Sequence, residues 1–402
     1  MNILQLTNKV PYPPIDGGAI ATINLSKGFA EQGHQVTILA MNTTKHYCEI
    51  SSIPTEITSK INIIGVDVKA KITRTAALNN LFFSKLPYNA QRFLSSNYKE
   101  ALIKLLTENK FDVIQLEGLY LGLYIPVIRQ YSNAIISMRA HNIEHEIWHR
   151  TAVQEKNPLK KGYLKNLSKR IKNLKLSLIN QYDVLVPITT RDARRFSFFG
   201  NKMPIHVSPT GINTNELISD RTKIEYPSVF HLGALDWAPN QEGLIWFLKD
   251  VWGDISKKHP TVKFYLAGRN APAWLKQTVK SYENIEFLGE VDDACKFMNS
   301  GAIMIVPLLS GSGMRIKIIE GMALGKTIVS TAIGTEGIST TNNENILIAN
   351  NAGDFINQID TLLKDKKFFD EIGINAVNFV KENFDNLAIS KDLIDFYKSN
   401  IK

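Results

Sequence analysis

Residues 307–326 read PLLSGSGMRIKIIEGMALGK, and this stretch predicts a strand, a glycine turn and a helix in succession. An apolar run ends near Pro307, small residues follow, and helical spacing begins near Met314 and stops at Gly325. A glycine at that last position can adopt the left-handed conformation that commonly ends a helix. A strand that passes through a short turn into a helix is the repeating unit of a doubly wound α/β domain.

The same alternation of short apolar strands and amphipathic helices fills the rest of the chain and restarts once. The expected strands are Met1–Leu6, Val36–Ala40, Ile61–Val66, Val113–Leu116, Ala134–Met138, Val184–Ile188, Val229–Leu232, Val262–Ala267, Ile285–Leu288, Ile303–Pro307, Thr327–Thr331 and Ile346–Ile348. The expected helices include Ala19–Gln32, Tyr98–Glu108, Gln241–Lys257, Ala273–Tyr282, Met314–Leu324 and Ala352–Leu363, with two more helices after Phe368 that break near Asn383–Asn386. Two sets of βαβ units predict two Rossmann-like domains that face each other across a cleft.

We expect residues 1–207 to form the first domain and residues 208–385 the second, with 386–402 as a helix that crosses back. The hinge is placed near 208–226, where Pro209 interrupts the periodicity. A chain of 402 residues suits two domains, and 44% hydrophobic with 21% charged residues is typical of a soluble globular protein.

The composition also narrows the location of the protein. No apolar run approaches the roughly 20 residues of a membrane span, and the first residues lack the pattern of a signal peptide. The two cysteines, Cys48 and Cys295, lie too far apart in sequence for a disulfide framework or a zinc motif. We therefore expect a cytoplasmic protein.

The net charge of +9 is concentrated in one segment, because eight cations and no acid lie between Lys156 and Tyr182. Leucines and an isoleucine recur there at three and four residues, which predicts an amphipathic helix over Tyr163–Asn180. Its lysines either lie in water above a buried stripe or rest on an anionic lipid surface, with Leu81–Phe83 adding apolar contacts. The residues of this candidate membrane surface are Lys160, Lys161, Lys165, Lys169, Arg170 and Lys172. No nucleic-acid motif accompanies them, so nucleic acid is not an expected partner.

The glycine turn of residues 307–326 carries the chemistry. A helix that begins there offers free N–H groups and a partial positive charge to a phosphate, and Arg315 and Lys317 add two cations. The Glu320 carboxylate can accept hydrogen bonds from two vicinal hydroxyls. The alternative is a structural turn in which Lys317 and Glu320 form a surface ion pair. A third glycine of a dinucleotide fingerprint would fall at Ile316, which disfavours a dehydrogenase.

This stretch resembles the signature of the retaining glycosyltransferase family four, whose members have the two-domain GT-B fold. In that family two acids flank a glycine-rich turn; Glu320 matches the second, which holds the nucleotide ribose, whereas the first falls on Ser312. The family's arginine and lysine on the first loop of the second domain are replaced here by Ala234 and Pro239. We therefore expect Arg315 and Lys317 to bind the diphosphate in their place.

Other segments carry the same resemblance. Pro11–Gly18 is similar to the family's loop that covers the donor phosphate and the acceptor, although a simple strand-to-helix turn would also fit. His141 matches the histidine beside the donor sugar and the reacting centre; the alternative is a structural histidine. For Arg269, at a strand end that borders the nucleotide base in the family, the alternative is a solvated side chain. The expected donor-binding residues are Gly17, Gly18, Gly233, Arg269, Ser312, Gly313, Met314, Arg315, Lys317 and Glu320, and the expected catalytic residues are His141 and Glu320.

The resemblance implies transfer of a hexose-type sugar, with retention, from a nucleotide diphosphate sugar to a glycan or lipid-linked acceptor in bacterial polysaccharide or glycoconjugate assembly. It implies neither a metal nor another cofactor, and it favours a UDP-sugar before a GDP-sugar. Such an enzyme would be cytoplasmic, with a possible peripheral place on the inner face of the cytoplasmic membrane. Two alternatives stay open: an inactive GT-B binding protein, suggested by Ser312, and a nucleotide-sugar epimerase.

Overall fold

The chain folds as two units, each built around one six-stranded parallel sheet, in a computed structural model that describes residues 1–311 and 313–401. Unit 1 comprises Met1–Gly211 and Asn386–Lys402, and unit 2 comprises Ile212–Asp385. No helix in the described part of the chain combines the length and the apolarity of a membrane span.

The sheet of unit 1 has the order β3-β2-β1-β4-β5-β6. Its strands are β1 (Asn2–Thr7), β2 (Gln35–Thr43), β3 (Ile61–Val68), β4 (Val113–Glu117), β5 (Ile135–Ala140) and β6 (Val184–Pro187). Its first helices are α1 (Gly17–Glu31), α2 (Thr55–Thr58), α3 (Arg74–Phe83), α4 (Tyr88–Gln91), α5 (Ser96–Glu108), α6 (Ile125–Tyr131), α7 (Glu144–Gln154), α8 (Pro158–Leu178) and α9 (Thr190–Phe198). Short 3-10 turns occupy Thr44–His46, Ile50–Ser52 and Leu119–Tyr124.

Unit 2 repeats this arrangement with the order β12-β11-β10-β7-β8-β9. Its strands are β7 (Ser228–Leu232), β8 (Lys263–Ala267), β9 (Ile285–Gly289), β10 (Ile303–Val306), β11 (Thr327–Ser330) and β12 (Leu347–Ile348). Its helices are α10 (Ala238–Phe247), α11 (Gly253–Lys258), α12 (Ala273–Val279), α13 (Ala294–Ser300), α14 (Ile316–Ala323), α15 (Ala352–Lys364) and α16 (Lys366–Asn383), with a π-helical turn at Leu248–Trp252 and a 3-10 turn at Arg221–Lys223. All twelve predicted strands are therefore confirmed.

Both sheets follow the Rossmann strand order, in which the chain reverses direction between the first and the fourth strand. In unit 1 that switch point lies between β1 and β4, and in unit 2 it lies between β7 and β10. Ligands of such sheets bind outside the carboxyl ends of the strands at the switch point. The topology thus indicates a ligand site at the switch point of each sheet.

The helix α17 (Asn386–Asn400) belongs to unit 1. Leu393, Ile394 and Tyr397 are buried there with Phe29 of α1 and Ile3 of β1. The opposite face of the sheet is covered by a second apolar cluster that includes residues of α5, α6 and α8. Burial on both faces explains why these strands read as continuous apolar runs.

Two predicted helices have different bounds in the structure. The helix expected over Gln241–Lys257 is divided by the π-helical turn at Leu248–Trp252. The helix expected from Met314 begins instead at Ile316, with Arg315 as its N-cap residue in an extended conformation. Arg315 and Met314 therefore belong to the loop that precedes α14.

Candidate active site

The switch point of unit 2 brings together the loop after β7 and the loop between β10 and α14. Gly233 donates its backbone N–H to Ala267 O at 3.3 Å, and Leu235 donates to Arg269 O at 2.9 Å. The backbones approach so closely that a Cβ on Gly268 would lie 1.9 Å from Gly233 O. Glycine at position 268 is therefore a packing requirement.

Lys317, on the first turn of α14, reaches into this loop. Its Nζ donates to Leu232 O at 3.4 Å and to Asn240 Oδ1 at 3.3 Å. A Cβ on Gly233 would lie only 3.2 Å from that Nζ, so the predicted donor residue Gly233 makes room for the lysine. Asn240 in turn donates to Ala234 O at 2.8 Å, which fixes the carboxamide that receives the lysine.

The surroundings of Lys317 are short of negative charge. Burial, together with the nearby charge of Arg315, lowers the pKa of Lys317 to about 7. His231, which is fully buried behind Gly233, has its pKa lowered by burial and by Lys317. Its Nδ1 lies 3.1 Å from Ile305 O, while its Nε2 has no hydrogen-bond partner among the described residues. A bound anion would restore the charge of Lys317.

Arg315 is held against the turn that precedes α14. Its guanidinium lies 5.2 Å from the centre of the Trp237 ring and donates to Gly313 O at 2.6 Å. A Cβ on Gly311 would lie 2.6 Å from Nη2 of Arg315, so this glycine allows the arginine to fold back. Arg315 is only 7% exposed, and access to it therefore requires movement of this turn or of Trp237.

Glu320 lies one turn after Lys317 on α14 and is half-buried. Burial raises the pKa of its carboxyl group. No hydrogen bond to this carboxylate and no ion pair with Lys317 occur in the described residues, so the alternative of a surface ion pair is wrong. A partly buried carboxylate that lacks a partner is suited to accept hydrogen bonds from a ligand.

The other predicted donor residues of unit 2 lie around the same switch point. Gly313 and Met314 belong to the loop before α14 and are half-buried. Arg269 follows β8, and its backbone oxygen accepts from Leu235. The prediction for Ser312 falls outside the described residues.

In unit 1, His141 follows β5 and meets a residue that the sequence analysis missed. Its Nε2 lies 2.5 Å from Oε2 of Glu117, the last residue of β4. Thr22 donates to the same carboxylate oxygen at 3.2 Å. Strand β4 borders the switch point, so the Rossmann strand order alone would have singled out an acid at its carboxyl end.

Glu117 is buried but charged. Burial alone would raise its pKa, whereas the Arg139 guanidinium and the hydrogen bond from His141 together lower it to about 2. Arg139 Nη1 lies 3.9 Å from Oε1 of Glu117 and donates to Ala21 O at 3.3 Å. The carboxylate therefore fixes the orientation of the His141 ring.

A chain of buried hydrogen bonds connects this pair to the last helix. Gln115 donates to the Glu117 carboxylate, and the Tyr397 hydroxyl of α17 donates to Gln115 Oε1 at 2.6 Å. The Tyr397 oxygen also lies 2.9 Å from Ser137 Oγ. The end of the chain thus contributes to the polar support of His141.

Helix α1 begins with Gly17 and Gly18, and the backbone N–H of Gly18 already has a hydrogen-bond acceptor. The Asp16 carboxylate accepts from the backbone N–H of Gly18 and of Ala19, each at 3.0 Å, and Lys9 pairs with the same carboxylate. A Cβ on Gly17 would meet nothing within 4 Å. An anion at this end of α1 would therefore compete with the Asp16 cap.

The residues of the predicted membrane surface lie on or beside α8, whose apolar stripe is buried as expected. Arg170 donates to Asn80 O at 3.1 Å and to Leu81 O at 2.7 Å at the end of α3. Lys160 pairs with Glu155 at 2.5 Å, and Lys161 donates to Val153 O at 3.3 Å. The remaining three, Lys165, Lys169 and Lys172, are exposed.

Comparison with known proteins covers both units. The family model described as Glycosyltransferase Family 4 matches residues 15–216, and the model described as Glycosyl transferases group 1 matches residues 226–365. An uncharacterized 44.6 kDa protein in the cps region of Klebsiella pneumoniae is 24% identical over an alignment of 406 positions that covers 96% of this chain and 97% of that protein.

Two solved structures share the fold of this chain. Sucrose-phosphate synthase from Thermosynechococcus elongatus has a TM-score of 0.72 at 15% identity over 99% of both chains. HepE from Anabaena in complex with UDP has a TM-score of 0.70 at 15% identity, covering 99% of this chain and 100% of that one. HepE has also been solved with UDP-glucose. The two likenesses confirm the predicted GT-B fold.

Proposed function

The chain is a glycosyltransferase that belongs to glycosyltransferase family 4, and from this we propose that it transfers a hexose-type sugar, with retention, from a nucleotide diphosphate sugar. The acceptor is a glycan or a lipid-linked glycan in bacterial polysaccharide or glycoconjugate synthesis. The similarity to the cps-region protein of Klebsiella pneumoniae supports this role. The HepE complexes with UDP and UDP-glucose support a UDP-sugar before a GDP-sugar.

One observation carries the proposal. At the switch point of unit 2, α14 presents a lysine whose pKa is lowered and, one turn later, a carboxylate without a hydrogen-bond partner. Lys317 and the free N–H groups of the first turn of α14 bind the diphosphate, and Arg315 adds charge when the turn opens. Glu320 accepts hydrogen bonds from the ribose hydroxyls. These cations stabilise the departing diphosphate as its bond to the anomeric carbon breaks.

His141 of unit 1 is the second residue of the proposed mechanism. His141, oriented by Glu117, contacts the donor sugar, and we name Glu117 a positioning residue because it acts through the histidine. The acceptor hydroxyl forms the new bond to the anomeric carbon as the bond to the diphosphate breaks, and its proton passes to the departing diphosphate. The proposed mechanism needs no metal, because protein cations neutralise the diphosphate.

The first test of this function is thermal stabilisation by UDP-, GDP-, ADP- and dTDP-sugars, with EDTA and with Mg²⁺. A ligand at a hundred times its dissociation constant adds about 2.7 kcal/mol to the free energy of unfolding. We expect one nucleotide to stabilise the wild type in EDTA, and Glu320→Ala to lose that shift. Glu371→Ala, an exposed change on α16, serves as the matched control. Equal shifts for all three proteins would remove Glu320 from the site.

The protein also binds the inner face of the cytoplasmic membrane in this proposal. Arg170 of α8 donates to Leu81 O, next in sequence to Phe82 and Phe83 at the end of α3, which are 74% and 86% exposed. Basic and aromatic side chains together favour an anionic lipid surface. Sedimentation with anionic vesicles should carry down the wild type and not Phe82→Ser/Phe83→Ser; equal sedimentation would contradict the membrane role of α3.

A further inference from the structure

A cavity of about 780 Å³ opens between α7, α8 and α9 of unit 1, outside the site described above. Its lining is predominantly basic, with cations contributed by all three helices: Arg150, Lys165, Lys169, Lys172, Arg191 and Arg195. Glu146 is the one carboxylate among the described residues that line it. Such a concave, single-signed surface focuses a positive potential.

The single carboxylate is already occupied by two of these cations. Glu146 Oε2 lies 2.5 Å from Arg191 Nη2, and Oε1 lies 2.8 Å from Arg195 Nε. These two arginines lower the pKa of Glu146 even though its burial opposes the shift. The Glu146 charge is thus neutralised at one wall of the cavity.

The opposite wall carries three lysines without acids. Lys165, Lys169 and Lys172 recur at four and three residues, so they lie on one face of α8 and repel one another. None of the three pairs with a carboxylate in the described part of the chain, and all are exposed. The Nζ of Lys172 lies 5.8 Å from the centre of the Phe199 ring.

The floor of the cavity contains a buried polar nitrogen that has no partner. His145 is 7% exposed and lines the cavity, and its Nδ1 makes no hydrogen bond in the described structure. Ser168 donates to His145 O at 2.8 Å and joins α8 to α7 there. Leaving a buried polar group unpaired costs about 1–3 kcal/mol, and a ligand in the cavity would remove that cost.

We propose that this cavity binds a phosphate or diphosphate group. Arginine forks and lysine ammonium groups are the side chains that best bind phosphate oxygens, and His145 adds a neutral N–H donor at the base. We assign this phosphate to the sugar acceptor, and that assignment rests on the proposed function. The binding of the anion itself does not depend on it. Two sources share this chemistry: a soluble phosphorylated glycan and the phosphate of a lipid carrier.

The test titrates inorganic pyrophosphate into the full-length protein with saturating UDP, so that the diphosphate site of unit 2 is filled. We expect Lys165→Gln/Lys169→Gln/Lys172→Gln to bind pyrophosphate about tenfold more weakly or worse, since each charged hydrogen bond contributes at least about that factor. The control, Lys156→Gln/Lys160→Gln/Lys161→Gln, removes the same charge outside the cavity and should stay within about twofold of the wild type.

A second readout reports on the floor of the cavity. Burial and the charge of Lys175 lower the pKa of His145 to about 4. Pyrophosphate in the cavity should raise the His145 pKa, as measured by NMR titration of histidine-labelled protein, in the wild type and the control but not in the cavity variant. A far-UV circular dichroism melt verifies that each variant is folded.

Vesicles of phosphatidylcholine with or without phosphatidic acid then distinguish the two sources. If phosphatidic acid vesicles displace pyrophosphate, the group is carried by lipid; if they do not, it is carried by a soluble glycan. Absence of pyrophosphate binding by the wild type, or equal weakening in both lysine variants, would overturn the proposal. The UDP affinity of the same protein preparations is measured separately. Loss of UDP binding with intact pyrophosphate binding would contradict the proposed donor site and not the phosphate cavity.

Discussion

Lys317 lies in an environment unlike that of an ordinary surface lysine. Gly233 leaves room for its ammonium group, and burial beside Arg315 lowers its pKa to about 7 from the usual 10.5. A lysine with a lowered pKa binds fewer protons in the folded protein than in the unfolded chain. Its contribution to stability therefore rises with pH between about 7 and 10.5.

The same shift predicts a proton linkage to ligand binding. At pH 8 most of Lys317 is neutral, and a bound diphosphate should restore its charge and take up as much as about one proton. Calorimetry of UDP binding in buffers of different ionisation enthalpy measures this uptake. Lys317→Met should abolish it, and the exposed Lys276→Met should leave it unchanged. UDP binding without proton uptake by the wild type would contradict the role of Lys317.

Glu117 predicts a different dependence on pH. Its pKa is lowered from 4.5 to about 2, so its charge stabilises the fold above pH 4.5 and that stabilisation is lost as the pH falls towards 2. Removing it leaves Arg139 buried without its carboxylate, which typically costs about 3–5 kcal/mol. Glu117→Gln should therefore be less stable at pH 7 by about this amount, and the gap should narrow on acidification. Urea unfolding across this range, with exposed Glu108→Gln as control, tests it; a gap independent of pH would refute the assignment.

The sequence could identify Lys317 and Glu320 because they share one helix with a recognisable glycine turn. It could not identify the partners of His141, because Glu117 and Gln115 lie on another strand and Tyr397 lies on the last helix. Pairings between distant segments depend on the register of the sheet, which a single sequence does not contain. The polar residues within the apolar run of β4 were the available signal.

At the scale of elements, two glycines in helix interiors have opposite surroundings. A Cβ on Gly28 of α1 would lie 2.5 Å from Ser390 Oγ and 2.8 Å from Asn386 Nδ2, both on α17. A Cβ on Gly162 of α8 would meet nothing within 4 Å. The first glycine therefore permits close packing of two helices, and the second only costs helix propensity.

This contrast gives a matched pair of alanine variants. Gly162→Ala should raise the free energy of unfolding by about 0.5–1 kcal/mol through helix propensity. Gly28→Ala gains the same term but forces α17 away from α1, and overpacking of this kind costs about 1–3 kcal/mol. Urea unfolding should thus show opposite signs for the two changes. Stabilisation by both would mean that α1 and α17 pack less closely than described.

The bounds of the elements were less predictable than their order. Helical spacing continues through Met314 and Arg315, yet α14 starts at Ile316 because Arg315 adopts an extended backbone and folds over Trp237. The helix expected over Gln241–Lys257 contains a π-helical turn that no periodicity announces. Both departures come from tertiary packing, which overrides local preference.

At the scale of the whole molecule, the presence of two sheets built from the same βαβ units was the feature best predicted from the sequence. The run Ile303–Val306 is apolar throughout because helices cover both faces of the sheet. The strand order itself follows from the Rossmann topology once the parallel units are recognised. The basic cavity of α7, α8 and α9 escaped the sequence analysis, because its arginines come from helices separated by tens of residues.

The membership of α17 in unit 1 has a consequence for how the protein is made. A ribosome releases all six strands of unit 1, then the whole of unit 2, and only afterwards the helix that covers Ile3 and Phe29. Until then unit 1 exposes an apolar stripe and leaves Gln115 without its tyrosine, a state that chaperones and proteases recognise. A nascent or truncated chain that lacks α17 is therefore marked as unfinished, because the His141 support is completed only when α17 has been made.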